Sequence, residues 1–144
     1  MEYELGTIRI EAEIQEEQDI KIECLSDVAT KYSHLEERQK EHLYAIFLSN
    51  DNTFLGDKLV SLGSQDCIQF DLKDIARTAV LVKASAVIIL HNHPSGNSNP
   101  TQQDLEATQE IYNALELLNI ELLDHVIISR TNPHSMRQNH DGPF

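Results

Sequence analysis

A chain of 144 residues, 40% hydrophobic and 24% charged, has the size and composition of one packed domain that needs no disulfide framework. Its formal charge of −13, from 24 acidic against 11 basic residues, repels phosphate backbones and argues against direct nucleic-acid binding by this domain alone. The start of the chain lacks a basic region leading into an apolar run, and no apolar stretch approaches the roughly 18 residues that span a bilayer. The expectation is a cytoplasmic protein without a membrane segment. Cys24 and Cys67 form no Cys-x-x-Cys pair, and each reads as a buried small hydrophobe.

Weak alternation of Leu5, Ile8 and Ile10 among many charges predicts one or two edge strands within residues 1–20. Ser26 and Asp27 offer N-cap chemistry for a helix reaching about Arg38, with Val28, Tyr32 and Leu35 on one face. From His42 to Leu48 the run is apolar and aromatic enough for a buried strand. Asn50-Asp51-Asn52 is a turn signal, and residues 53–63 return as the antiparallel partner. Asp71 caps a second helix to about Lys83, its inward face carrying Leu72, Ile75, Ala76, Ala79 and Val82. Ala86 to Leu90 follows without polar alternation, as a strand covered on both faces reads.

The loop from His91 to Pro100 holds two of the four prolines and one of the five glycines, so it is a shaped turn. A third helix starts near Thr101 and carries Leu105, Ile111, Tyr112, Leu115 and Leu118 at helical spacing. Residues 120–129 form a last strand, and residues 131–144 read as an irregular tail. No repeat or low-complexity linker divides the chain. The order of elements predicts a single α/β domain over residues 1–144, a mixed β-sheet sandwiched by helices.

His91 and His93 fall at the carboxyl end of a buried strand, where sites collect in open α/β folds. Two apart on extended backbone, both imidazoles point the same way and can reach one ion. Thr101 and Asp104 then share a face of the first turn of the next helix, so Asp104 can add an anionic ligand. Three protein ligands with a fourth position left to water is the open arrangement of catalytic zinc. Each half has a plainer reading. His-x-His occurs in ordinary polar loops, and Thr-x-x-Asp is a capping box whose groups satisfy free backbone amides. Both roles can hold at once for Thr101.

The segment HNHPSGNSNPTQQDLEAT closely resembles the signature of JAMM (MPN-type, JAB) metalloprotease-like domains, and within them the RadC-like branch, where the second histidine precedes Pro-Ser-Gly. The similarity extends through IELLDHVIIS, LVKASAVIIL and KEHLYAIFLSND, covering roughly residues 20 to 137. The resemblance implies a cytidine-deaminase-like α/β architecture with zinc held by His91, His93 and Asp104. It assigns Glu41 as the general base that takes the proton of the attacking water; among the many acids of the chain, only the resemblance singles it out. Thr101 stands where the family carries a serine that helps stabilise the oxyanion, keeping the hydroxyl and adding a methyl. RadC-like proteins commonly carry an N-terminal helix-hairpin-helix region, and no such domain is expected within these residues.

The implied function is a zinc metallopeptidase or isopeptidase acting on a peptide or protein. Two alternatives stand beside it: a DNA-repair-associated role on or near nucleic acid, and a metal-binding scaffold without catalysis. Of the other histidines, His42 is expected on the opposite side of its strand from Glu41. His125 reads as a satisfied sheet residue rather than a ligand, and His134 and His140 sit in the tail. Ser95 is a candidate for orienting the loop or substrate, and Gly96 for a backbone angle that other residues avoid.

Overall fold

The computed structural model describes residues 6–7, 20–63 and 70–144. The edge strands expected within residues 1–20 fall, apart from Gly6, Thr7 and Ile20, outside the described residues, as does Cys67. Helix α1 (Leu25–Lys31) gives way to a 3-10 turn at Ser33–Leu35 instead of continuing to Arg38. The tighter turn aligns positions three apart, and it lays Tyr32 and Leu35 together onto the sheet, 3% and 1% exposed. Cys24, not Ser26, occupies the N-cap, and the Asp27 carboxylate accepts from the free amides of Glu23 and Cys24. Cys24 is exposed, contrary to the expected burial, because the cap of a surface helix faces water.

Strand β1 (Glu41–Leu48) turns at residues 49–52 into β2 (Phe54–Gly63), with which it pairs antiparallel. Helix α2 (Leu72–Leu81) begins where expected, the Asp71 carboxylate accepting from Lys73 N at 3.0 Å. It ends before Lys83, which takes a left-handed φ of 56°. Strand β3 (Ala86–Asn92), helix α3 (Gln102–Leu117) and strand β4 (Glu121–Ile128) form a parallel strand pair with its crossover helix. With a short strand β5 (His134–Ser135) at one edge, the sheet order is β2-β1-β3-β4-β5, antiparallel except between β3 and β4.

Alternation divides this mixed sheet into two buried faces. Leu43, Ala45, Phe47, Val87 and Ile89 pack with Ile75 and Ala79 of α2 and Ile111 and Leu115 of α3. Ile46, Leu48, Ile88, Leu90, Val126 and Ile128 face the other way, against Val28, Tyr32 and Leu35. Every residue of β3 is buried, as its unbroken apolar run predicts. The result is the expected α/β sandwich, with helices on both faces of the sheet.

Residues 131–144 are not an irregular tail. Strand β5 (His134–Ser135) pairs with β4, and Met136 is fully buried. The Asp124 carboxylate gathers Ser135 Oγ at 2.5 Å and the Arg137 amide at 3.0 Å, while Phe144 packs edge-on against Tyr112. These ties are made across the fold rather than along the chain, so no periodicity marks them. Among the described residues, no helix is long and apolar enough to cross a membrane.

Candidate metal centre

The sheet register brings the site together. Leu43 of β1 lies opposite His91 of β3 in the antiparallel pair, so Glu41, two residues earlier, shares the face of His91 at the same end of the sheet. His93 follows directly after β3, its amide donating to Ile128 O at 2.8 Å. Gly96, at φ 86°, donates its amide to His93 O at 3.1 Å and turns the chain toward α3. Ser98 Oγ and Thr131 Oγ1 tie this loop to the segment after β4, donating to Asn132 O and Gly96 O. Ser95 Oγ makes only a long contact with Asn97 N, 3.5 Å.

Helix α3 then delivers Asp104 in its first turn. Asp104 Oδ1 lies 3.2 Å from His91 Nε2, and its Oδ2 lies 3.1 Å from His93 Nε2. The two Nε2 atoms are 2.8 Å apart. Glu41 Oε1 stands slightly farther off, 3.5 Å from His91 Nε2 and 4.0 Å from His93 Nε2. One ligand atom from each of these four residues falls within 4.8 Å of all the others, a group that could hold a metal ion. The structure thus brings Glu41, His91, His93 and Asp104 to one point.

Thr101 is the N-cap of α3. Its Oγ1 accepts from Asp104 N at 3.2 Å, and its own amide donates to Asp104 Oδ2 at 2.8 Å. The capping box and the carboxylate that faces the cluster are therefore the same structure, with Asp104 oriented by the backbone it caps. Thr101 is exposed, and because its oxygen serves as acceptor, its hydroxyl proton is not used by the cap.

The donor chemistry suits a cation. His93 Nδ1 lies 2.7 Å from Asn97 O, which can only accept, so Nδ1 carries a proton and Nε2 is the atom turned to the cluster. Burial pushes the fully enclosed His91 down from the ordinary imidazole range and keeps it neutral. For His93 burial acts the same way, but hydrogen bonds to Asp104 and Asn97 outweigh it and favour the charged form. Burial raises the Glu41 carboxyl to about 7, with His93 opposing and Asp104 assisting. Burial also works against ionised Asp104, yet the two imidazoles beside it hold it well below the usual carboxylate range. Two imidazole nitrogens and two carboxylates at these separations require a positive charge between them. A proton on His93 supplies it without metal, and a divalent ion that displaces this proton supplies it more fully.

Sequence reasoning missed Asn92, between the two histidines and pointing to the opposite face. It is 1% exposed; its Oδ1 accepts from His42 N at 2.6 Å and its Nδ2 donates to Lys40 O at 3.0 Å. It therefore pins the entry to β1, and with it Glu41, to the strand that carries His91. A polar residue closing an otherwise apolar buried run was the available signal. Asn92→Ala is expected to lose about 1–3 kcal/mol, the cost of leaving the buried groups around it unpaired. Any capacity of the cluster to bind a metal ion should persist while Glu41 loses its fixed distance. Urea unfolding with parallel metal analysis checks this; unchanged stability would contradict it.

The remaining histidines lie outside the group. His42 points away, its Nδ1 2.8 Å from Lys40 O, and His134 contacts Asp141 at 2.6 Å. His140 occupies a turn at φ 56°. His125 is fully buried and satisfied, as expected, but its partner is His91 Nδ1 at 2.6 Å.

Residues 22–141 match the RadC-like JAB domain family. The chain is 34% identical to a UPF0758 protein of Chlorobium chlorochromatii over 119 residues, 82% of this chain and 54% of that protein. It is 33% identical to a UPF0758 protein of Salinibacter ruber over 131 residues, 90% of this chain and 56% of that one. A UPF0758 protein of Aquifex aeolicus is 37% identical over 102 residues, 71% and 44% of the two chains. The chain thus spans about half the length of the curated relatives it matches.

Proposed function

Because this chain belongs to the RadC-like JAB domain family, we propose that it is a zinc-dependent hydrolase that cuts an amide bond in a peptide or protein, as a metallopeptidase or isopeptidase. His91, His93 and Asp104 are the zinc ligands in this reading, and Glu41 is the general base. The observation that carries it is the unequal spacing of the four groups. Three of them close to 2.8–3.2 Å of one another, while the Glu41 carboxylate stands back at 3.5–4.0 Å, beside the group rather than within it. Mixed nitrogen and carboxylate donors suit zinc better than the all-oxygen ligand sets of magnesium or calcium.

Held by these residues, a zinc ion would supply Lewis acidity, making water acidic near neutral pH and polarising a carbonyl oxygen. The residues of the chain do the rest. Glu41, raised by burial, takes the proton of the attacking water and returns it to the leaving amine. His91 and Asp104, nearly without exposure, keep bulk solvent from the inner side of the site. In this reading Thr101, whose hydroxyl proton the helix cap leaves unused, donates toward the developing oxyanion.

The test is cleavage of peptide and isopeptide libraries by the zinc-loaded protein, read by mass spectrometry. Cleavage that stops with a chelator and returns with zinc is the expected result. Zinc-dependent cutting of phosphodiester substrates, with peptides and isopeptides left intact, would overturn the amide assignment.

A further inference from the structure

Behind the site runs a buried hydrogen-bonded chain that the reaction described above does not use. His125 of β4 and Thr108 of α3 are both fully buried. His125 is the register partner of Ile89, whose side chain shares the face of His91, and Thr108 lies one helical turn beyond Asp104. Thr108 Oγ1 is 2.6 Å from the Asp104 carbonyl oxygen and 2.5 Å from His125 Nδ1. His125 Nε2 is 2.6 Å from His91 Nδ1.

The protons in this chain can be placed from one end to the other. A carbonyl oxygen only accepts, and two oxygens at 2.6 Å without a proton between them repel. The single hydroxyl proton of Thr108 therefore points to Asp104 O, the familiar back-bond of a helical threonine to the preceding turn. Met136 Sδ, at 3.6 Å, is too weak an acceptor to compete. Thr108 Oγ1 then meets His125 with a lone pair, so His125 Nδ1 carries the proton. The partners of His125 in this chain are a neutral hydroxyl and a second imidazole, so it is neutral itself and its Nε2 is bare. That bare nitrogen must accept from His91 Nδ1, which leaves the lone pair of His91 on Nε2, the atom facing His93 and Asp104.

We infer that Thr108 and His125 form a tautomer lock, a pair of positioning residues that hold His91 with Nδ1 protonated and Nε2 free for the metal. The inference rests on the metal site proposed above, which it deepens. The lock begins and ends on one residue: the Asp104 carbonyl anchors it, and the Asp104 carboxylate faces the atom it prepares. Strands β3 and β4 and helix α3 are joined through it at the centre of the site. Partners that fix the outer nitrogen of a ligating imidazole are worth about 10–100-fold in metal affinity.

Thr108→Val keeps the shape of the side chain and removes its hydroxyl, leaving His125 Nδ1–H without its acceptor. His125 is then free to take its proton on Nε2, which would force the His91 proton onto the coordinating nitrogen. Thr108→Ser keeps the hydroxyl and serves as the rescue. Ring nitrogen shifts of the histidines by NMR in the metal-free proteins, and zinc affinity by competition with a chromogenic chelator, read the two consequences separately. Thermal unfolding of each metal-free variant establishes that it folds. The expected result is His91 and His125 both protonated at Nδ1 in the wild type and in Thr108→Ser. In Thr108→Val, His91 should shift to Nε2–H and zinc affinity should fall about 10–100-fold. A wild-type His91 protonated at Nε2 would overturn the lock, and so would a Thr108→Val protein with unchanged shifts and unchanged zinc affinity. Wild-type shifts as assigned, in a protein that takes up no zinc, would sink the metal reading and leave the tautomer assignment standing.

Discussion

Replacing Glu41 with glutamine is expected to leave the metal in place and lower turnover about 10²–10⁴-fold, the usual worth of a general base. Glutamine preserves the length and the burial of the side chain, 8% exposed at the head of β1, so the fold has no reason to change. It removes the one carboxylate of the cluster that stands back from the other three groups. An amide cannot take a proton from water near neutral pH, whereas a carboxyl that burial has raised to about 7 is tuned for that exchange. Metal content and kcat measured on the same preparation separate the roles. Equal turnover would remove Glu41 from the mechanism, and loss of metal together with turnover would make it a ligand instead.

His91→Ala and Asp104→Asn are expected to take the protein from about one zinc per chain to nearly none. His91 is fully buried, its Nε2 placed 2.8 Å from His93 and 3.2 Å from Asp104, so its removal opens the inner wall of the cluster. Asparagine is the sharper substitution at position 104. It keeps an oxygen to accept from Thr101 N, so the start of α3 stays capped, and it removes only the negative charge. The loss of metal then reports on ligation and not on unfolding. Elemental analysis of the purified proteins reads it, and equal metal in all three would contradict the assignment.

How far the site could be read from the sequence follows from which of its parts are local. His91 and His93 sit at a strand end and Asp104 in the first turn of the next helix, and each position is set by periodicity over a few neighbours. Thr101-x-x-Asp104 read both as a capping box and as part of the site, and the structure uses the same carboxylate for both. Glu41 joins the site through the pairing of β1 with β3, a contact between distant parts of the chain that no spacing encodes. Only the resemblance to a family singled it out. Thr108 and His125 carry no functional signal in the sequence because their contacts to each other and to His91 run between elements, and Asn92 carries only its polarity at the end of an apolar run. The same cause hides the order of residues 131–144, whose short strand and buried Met136 depend on β4. Helix α1 ends earlier than its hydrophobic pattern suggests because a helix and a 3-10 turn place Tyr32 and Leu35 on the same face and read alike in that pattern.

The central claim is that one metal ion sits between His91, His93 and Asp104. Anomalous X-ray scattering from crystals of the zinc-loaded protein, measured on both sides of the zinc absorption edge, tests it most directly. A single strong peak is expected at about 2.0–2.2 Å from His91 Nε2, His93 Nε2 and an Asp104 carboxylate oxygen, with Glu41 outside that distance. A peak bound by other residues, or none in a crystal grown with excess zinc, would contradict it.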